Sequence, residues 1–407
     1  MKLLKRAVAF AVAAVIGFSS FSALLGESVR AASFIGLDVT THTKAEIINY
    51  IKNHPYTDEK AVFTTQPSTS SPYAVGKVSD QTLKSACNYL NIHRYITGVG
   101  EVKVSDEAQN YAQSAAVVMA ANSSLSHTPN KPTGMSDDLY AAGVRGAFNS
   151  NIAGGSISFK SDIDRYMLEA NGDQNFGHRR QLLDYSMTET GFGVAYSKGG
   201  SGYSATYVDA NMPERKSFAY PAQNQPLDYF GTGYAWTVVI PQKVTASSAH
   251  VKVTLNSTGR VWEFSNVTNS GYEYMRVDAD STSACLIFAP SDIIYHDGDV
   301  YTVEITGIPS PIKYNVNMFY ANPIKVQSVS ISNHGVSTNV GRTEERCCNV
   351  TFTPSNATNK NMIWTSSDPS IAKVSNYGSS NCQITGIKEG TVTITGKSED
   401  SGQTVSF

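Results

Sequence analysis

The chain has 407 residues, more than one compact domain usually holds, so two to four domains are expected. Its 41% hydrophobic and 16% charged residues describe packed globular modules rather than a disordered tail. Lys plus Arg number 32 against 34 Asp plus Glu, a formal charge of -2 with no basic stripe, which argues against nucleic acid as a partner.

In chain order, Lys2, Lys5 and Arg6 form a positive start and Ala7 to Phe18 an apolar run, before the small residues of Val29-Arg30-Ala31. This is the layout of a signal peptide over residues 1–31, with cleavage expected near Ala31 or Ala32 and a secreted or cell-surface destination. The apolar run is short for a bilayer span and no later stretch is long enough, so no transmembrane segment is expected in the mature chain. Residues 32–78 read as a lead-in. Thr43 to Glu46 is a capping box opening a short helix that must stop before Pro55, and Thr64 to Pro72 has linker composition.

A helical pattern then runs through Leu83, Cys87, Leu90 and Arg94, ending at Gly98 and Gly100. Ser105 caps a second helix, whose small face of Ala108, Ala112 and Ala115 permits close approach to a neighbour. Ser161 and Asp164 mark another helix start, and residues 177–183 a short helix. Two β runs, Gly191–Ser197 and Ser204–Ala210, flank a hairpin loop over 198–202. The expected class is α+β up to about residue 212, then two all-β sandwiches over 217–322 and 325–407, where short runs alternate with turn residues.

Five cysteines cannot form a complete disulfide framework. Cys382 has Cys347 and Cys348 as candidate partners, and the sequence leaves the pairing open. No Gly-x-Ser-x-Gly elbow is present, and the paired glycines lack the lysine of a phosphate loop.

His127 in Ser126-His127-Thr128-Pro129 and His178 in Gly177-His178-Arg179-Arg180 can exchange protons or ligate zinc if folding joins them to a carboxylate. Read without relatives, each is as well explained by local capping or packing.

Residues 83–212 resemble the CAP superfamily of cysteine-rich secretory, antigen 5 and pathogenesis-related proteins, the SCP-like domains of bacteria. The resemblance rests on Asn91-Ile92-His93-Arg94, Ala112 to Ala116, Ser126 to Pro129, Ser150 to Ala153, Gly177-His178-Arg179 and Gly191 to Val194. It implies an α-β-α sandwich with a central antiparallel sheet, here bounded at 79–212. It also implies a cleft lined by two histidines and two glutamates, some members holding a divalent metal there.

Carried over, the histidines are His127 and His178, the later glutamate is Glu169, and Ser150 stands where the earlier one is expected. Asp173 is a fallback acid. Residues 325–407 resemble the bacterial Ig-like domain of invasin- and intimin-type surface proteins, on Ile363 to Val374 and Ile387 to Ile394.

These readings leave three functions in play. One is a ligand-binding domain for a lipid, a wall fragment or a host protein, displayed on Ig-like modules. Another is a metal-assisted hydrolase with zinc on His127 and His178 and Glu169 as base. The third is an adhesin in which the CAP-like part is inert.

Overall fold

The computed structural model describes residues 33–407 except 157, 170–175, 210–215, 232, 266–268, 271–272 and 333–334. The signal peptide expected over 1–31 and the fallback acid Asp173 therefore lie outside the described residues.

Helix α1 (Lys44–Asn53) starts on the capping box: the Thr43 hydroxyl accepts from Glu46 N, and the Glu46 carboxylate accepts from Thr43 N at 2.7 Å. The stretch expected as a linker is instead strapped down. Strands β1 (Phe63–Thr65) and β2 (Lys77–Val78) pair across it, Ser68 bridges Ala74, and Thr69 Oγ1 donates to Tyr196 O at 2.9 Å.

The next elements are α2 (Asp80–Ile96), β3 (Lys103–Val104), α3 (Asp106–Asn122), α4 (Asp137–Phe148), β4 (Ser150–Gly154) and α5 (Phe159–Leu168). Then come α6 (Gly177–Leu182), β5 (Glu189–Tyr196) and β6 (Gly202–Tyr207). Ser105 caps α3 as its sequence indicates. Helix α5 begins earlier than its sequence suggested: Ser158 is the cap, and Ser161 is the third helical residue that bonds back to it. Helix α4 had no counterpart in the sequence reading.

The sheet order is β3-β5-β6-β4, antiparallel except where the two-residue β3 runs parallel to β5. Alternation along β5 explains the layers. Phe192 and Val194 enter the core shared with α2 and α5, while Gly191 and Gly193 lie under α3. A Cβ on Gly193 would stand 2.1 Å from Ala112 O, so glycine lets α3 rest directly on the sheet. The result is the α-β-α sandwich the resemblance implied.

Strands β7 (Phe218–Tyr220), β8 (Asn224–Pro226), β9 (Trp236–Ile240), β10 (His250–Leu255) and β11 (Arg260–Ser265) open the second unit. It continues with β12 (Asn269–Ser270), β13 (Glu273–Ala279), β14 (Ala284–Ala289), β15 (Val300–Thr306) and β16 (Ile312–Phe319). They form two five-stranded sheets, β11-β10-β15-β16-β8 and β12-β13-β14-β9-β7.

This unit does not sit apart from the α-β-α sandwich. One apolar core runs through Leu90, Ile163 and Phe192 into Tyr220, Trp236 and Val316. The chain start reinforces the join, since Ile35 N bonds Pro311 O and Lys313 N bonds Ile35 O, both at 2.9 Å.

The last unit has its own small core of Phe352, Met362, Trp364, Ile384, Ile394 and three cysteines among others. It adds strands at Ala372–Tyr377 and Asn381–Gly386 to those expected. A polar latch ties it to the preceding unit: His296 Nδ1 lies 2.5 Å from Glu399 Oε1, and Asn361 Nδ2 donates to Tyr295 O at 3.3 Å. The hydrogen bond to Glu399 raises the His296 pKa. Burial pushes the Glu399 carboxyl up, yet the hydrogen bonds from His296 and Asn359 outweigh it and bring it down to about 2.

Candidate functional site

Of the four residues expected at the cleft, Glu169 and His178 meet directly. Glu169 ends α5 in a left-handed conformation, φ 55°, which turns its buried side chain back toward α6. Its Oε2 accepts from His178 Nδ1 at 3.0 Å and its Oε1 from Arg179 N at 2.9 Å. The His178 ring stacks on Tyr166, with centroids 5.2 Å apart.

The junction of α4 and β4 holds both histidines. Ala147 O accepts from His127 Nδ1 at 2.7 Å, and four residues on, Asn151 Nδ2 donates to His178 O at 3.0 Å. Ser150 lies between them, with its hydroxyl buried and without a hydrogen-bond partner, as is Asn151 Oδ1.

These contacts decide the tautomers. A carbonyl only accepts, so His127 carries its proton on Nδ1, and the carboxylate fixes the same choice in His178. A donating Nδ1 steadied by an outer acceptor is the arrangement seen in metal-ligating histidines. Two nitrogens fall short of the three protein ligands usual for catalytic zinc. Glu169 spends both oxygens on positioning His178 and the α6 backbone, and a serine hydroxyl is a weak ligand. Among the described residues, no three His, Cys, Asp or Glu side chains gather as a metal-binding group.

A second feature was not visible in the sequence. A cleft of about 560 Å³ opens between α2, α3, β3 and the strapped segment before α2. Val75, Val78, Leu83, Val102 and Val104 wall it, and Cys87 lines it too. Gln113 pins the strap, donating to Val75 O at 3.1 Å and Val194 O at 2.9 Å.

At the mouth, Lys77 pairs with Asp80 at 3.3 Å and Lys103 with Glu189 at 3.6 Å, while the exposed Lys84 has no carboxylate partner among the described residues. Burial, then the charge of Glu101, pushes the Cys87 thiol up to about 11, so it is no nucleophile at neutral pH. None of His127, Ser150, Glu169 and His178 lines this cleft. The only sequence signal was the small and apolar residues facing one another from 75–78, α2 and 102–104.

Comparison with known proteins agrees with this architecture. The cysteine-rich secretory protein family (CAP) matches residues 87–208, and the bacterial Ig-like domain (group 2) matches residues 325–406. No curated protein matches the chain.

Among solved structures, Dpr11 IG1 bound to DIP-gamma aligns over 44% of this chain and 89% of its own, at 15% identity and TM-score 0.17. A tandem of titin Ig domains aligns over 44% and 87%, at 12% identity and TM-score 0.16. Superpositions this weak carry no argument. The family matches, the three-layer sandwich and the β units agree: residues 87–208 are a CAP domain and 325–406 a bacterial Ig-like domain, in a CAP/SCP-like protein with Ig-like modules.

Proposed function

We propose that this is a secreted or cell-surface bacterial protein whose CAP domain binds a lipid-like ligand, held outward by the β units. The apolar cleft of about 560 Å³ is the observation that carries this reading. Its volume falls in the range of roughly 300–1,000 Å³ typical of small-molecule sites, and a valine and leucine wall set among many polar and charged side chains suits an apolar chain with a polar head. Lys84, Asn88 and Asn110 offer hydrogen bonds to a polar head, beside the carboxylates of Asp80 and Asp106.

The histidine face supports binding over cutting. Ser150 stands where a second carboxylate is expected, and Glu169 is held in two hydrogen bonds, so among the described residues of this face no carboxylate is left free to activate water. Among the described residues no helix is long and apolar enough to cross a membrane.

Titration of the full chain with a fluorescent long-chain fatty acid tests the proposal. Saturable one-site binding in the micromolar range is expected. Leu83→Trp, which fills the cleft, weakens it at least about tenfold, the loss of one well-packed apolar contact. Lys84→Glu weakens it less, and His178→Ala leaves it unchanged. Binding that survives Leu83→Trp but fails in His178→Ala would move the site to the histidines and sink the cleft reading.

A further inference from the structure

The last unit holds three cysteines in one place, and both Cys347 and Cys348 lie within reach of Cys382. Cys348 Sγ and Cys382 Sγ are 3.9 Å apart, and both residues are fully buried. The main chains beside them are already joined, since Cys347 N donates to Cys382 O at 3.0 Å. Cys347 also neighbours Cys382, but its thiol is engaged by Glu344 O, to which it donates at 3.0 Å. Cys87 and Cys285 belong to other units of the fold.

We propose that Cys348 and Cys382 form a disulfide that staples the Ig-like module, with Cys347 remaining a thiol beside it. The backbone bond to Cys382 comes from Cys347, one residue before Cys348, so the two segments run side by side here, and the 3.9 Å between the sulfurs of Cys348 and Cys382 is the gap the bond must close. From 3.9 Å, side-chain rotation closes the remaining gap without moving a strand. The bond would close a loop across 34 positions in a module with a small core, the setting in which a staple contributes most.

Because both sulfurs are buried, oxidation belongs to the stage before the module closes. The oxidant is a small-molecule disulfide. One cysteine thiolate attacks it and expels a first small thiolate, leaving a mixed disulfide. The second cysteine, its proton lost to solvent, attacks the protein sulfur of that bond and expels the second small thiolate. Two protein thiols are oxidised, and one small disulfide is reduced to two thiols.

The test is to refold the full chain with and without oxidised glutathione, alkylate it and digest it with trypsin. Cys347 and Cys348 fall in the peptide 347–360 and Cys382 in 374–388. The two peptides are expected joined after oxidation and separate after reduction. The link persists in Cys347→Ala and is lost in Cys348→Ala and Cys382→Ala. The melting midpoint of the oxidised module lies about 10 °C or more above that of the reduced one, a comparison that needs no variant. Peptides that stay separate in the oxidised wild type, or a link that survives Cys348→Ala and vanishes in Cys347→Ala, would overturn the proposal.

Discussion

Arg179→Met is expected to cost about 3 kcal/mol of stability and to uncouple the CAP domain from the β unit that follows it. The guanidinium is fully buried. Its Nε donates to Met167 O at 2.6 Å, its Nη1 donates to Ala235 O at 2.7 Å, and its plane lies over Phe176 and Tyr220 at 4.7 and 4.8 Å. It thus spans from α6 to the start of β9, across the join between the two units.

Methionine matches much of the volume but donates nothing, so two buried carbonyls lose a charged donor. Relief from burying the cation offsets part of that loss, which is why the figure is about 3 and not larger. Urea unfolding followed by far-UV circular dichroism for the helices of the CAP domain and by tryptophan fluorescence for the β unit, with Trp236 in β9, reads the effect. A lower midpoint, with the CAP domain and β unit separating into two transitions, is expected. An unchanged single transition would show that the apolar contacts alone hold the join.

Acidification should expose a second weak point. His93 packs among Tyr89, Tyr220 and Tyr229, with both ring nitrogens buried and unbonded. Burial lowers its pKa to about 4. Asp164 opposes that shift, and Lys160 and Arg179 add to it.

The sign follows from linkage. Above pH 6.5 neither folded nor unfolded chain protonates this ring, so nothing is lost. Between 6.5 and about 4 the unfolded chain takes up a proton that the folded one refuses, and stability falls by up to about 3 kcal/mol. Below about 4 the effect levels off. Other groups also titrate in this range, so the readout is the difference between wild type and His93→Leu. That difference should shift by about 3 kcal/mol in favour of the variant from pH 7 to pH 4. Parallel curves would mean that the ring finds a partner or water when charged.

Much of the CAP domain was legible because its signals are local. Ser105 caps α3 within three residues of itself, as Thr43 does for α1 ahead of the domain, and the 198–202 loop joins its hairpin without help from elsewhere. Helix α4 was hidden because Gly143 and Gly146 weaken its propensity. Both are there for contact with α3, since a Cβ on Gly146 would fall 2.0 Å from Tyr111 O.

The site was half legible. Motif order pointed to His178 and Glu169, which do meet. Sequence could not show that Glu169 has both oxygens occupied, or that residues 75–78 fold over α2 and α3 to wall a cleft. The reach of Arg179 to Ala235 crosses 56 positions, and the choice of Cys348 over Cys347 depends on which way two adjacent side chains point. Neither leaves a trace in composition or period.

The claim that the CAP domain holds a ligand and does not cut one with a metal is tested most directly by zinc titration calorimetry. The full chain is the right material, since the CAP domain shares its core with the next unit. Wild type, His127→Ala and His178→Ala are compared. The account predicts no tight site in wild type and indistinguishable traces from all three. Tight one-to-one binding that disappears in both variants would contradict it and establish a shared metal centre on His127 and His178.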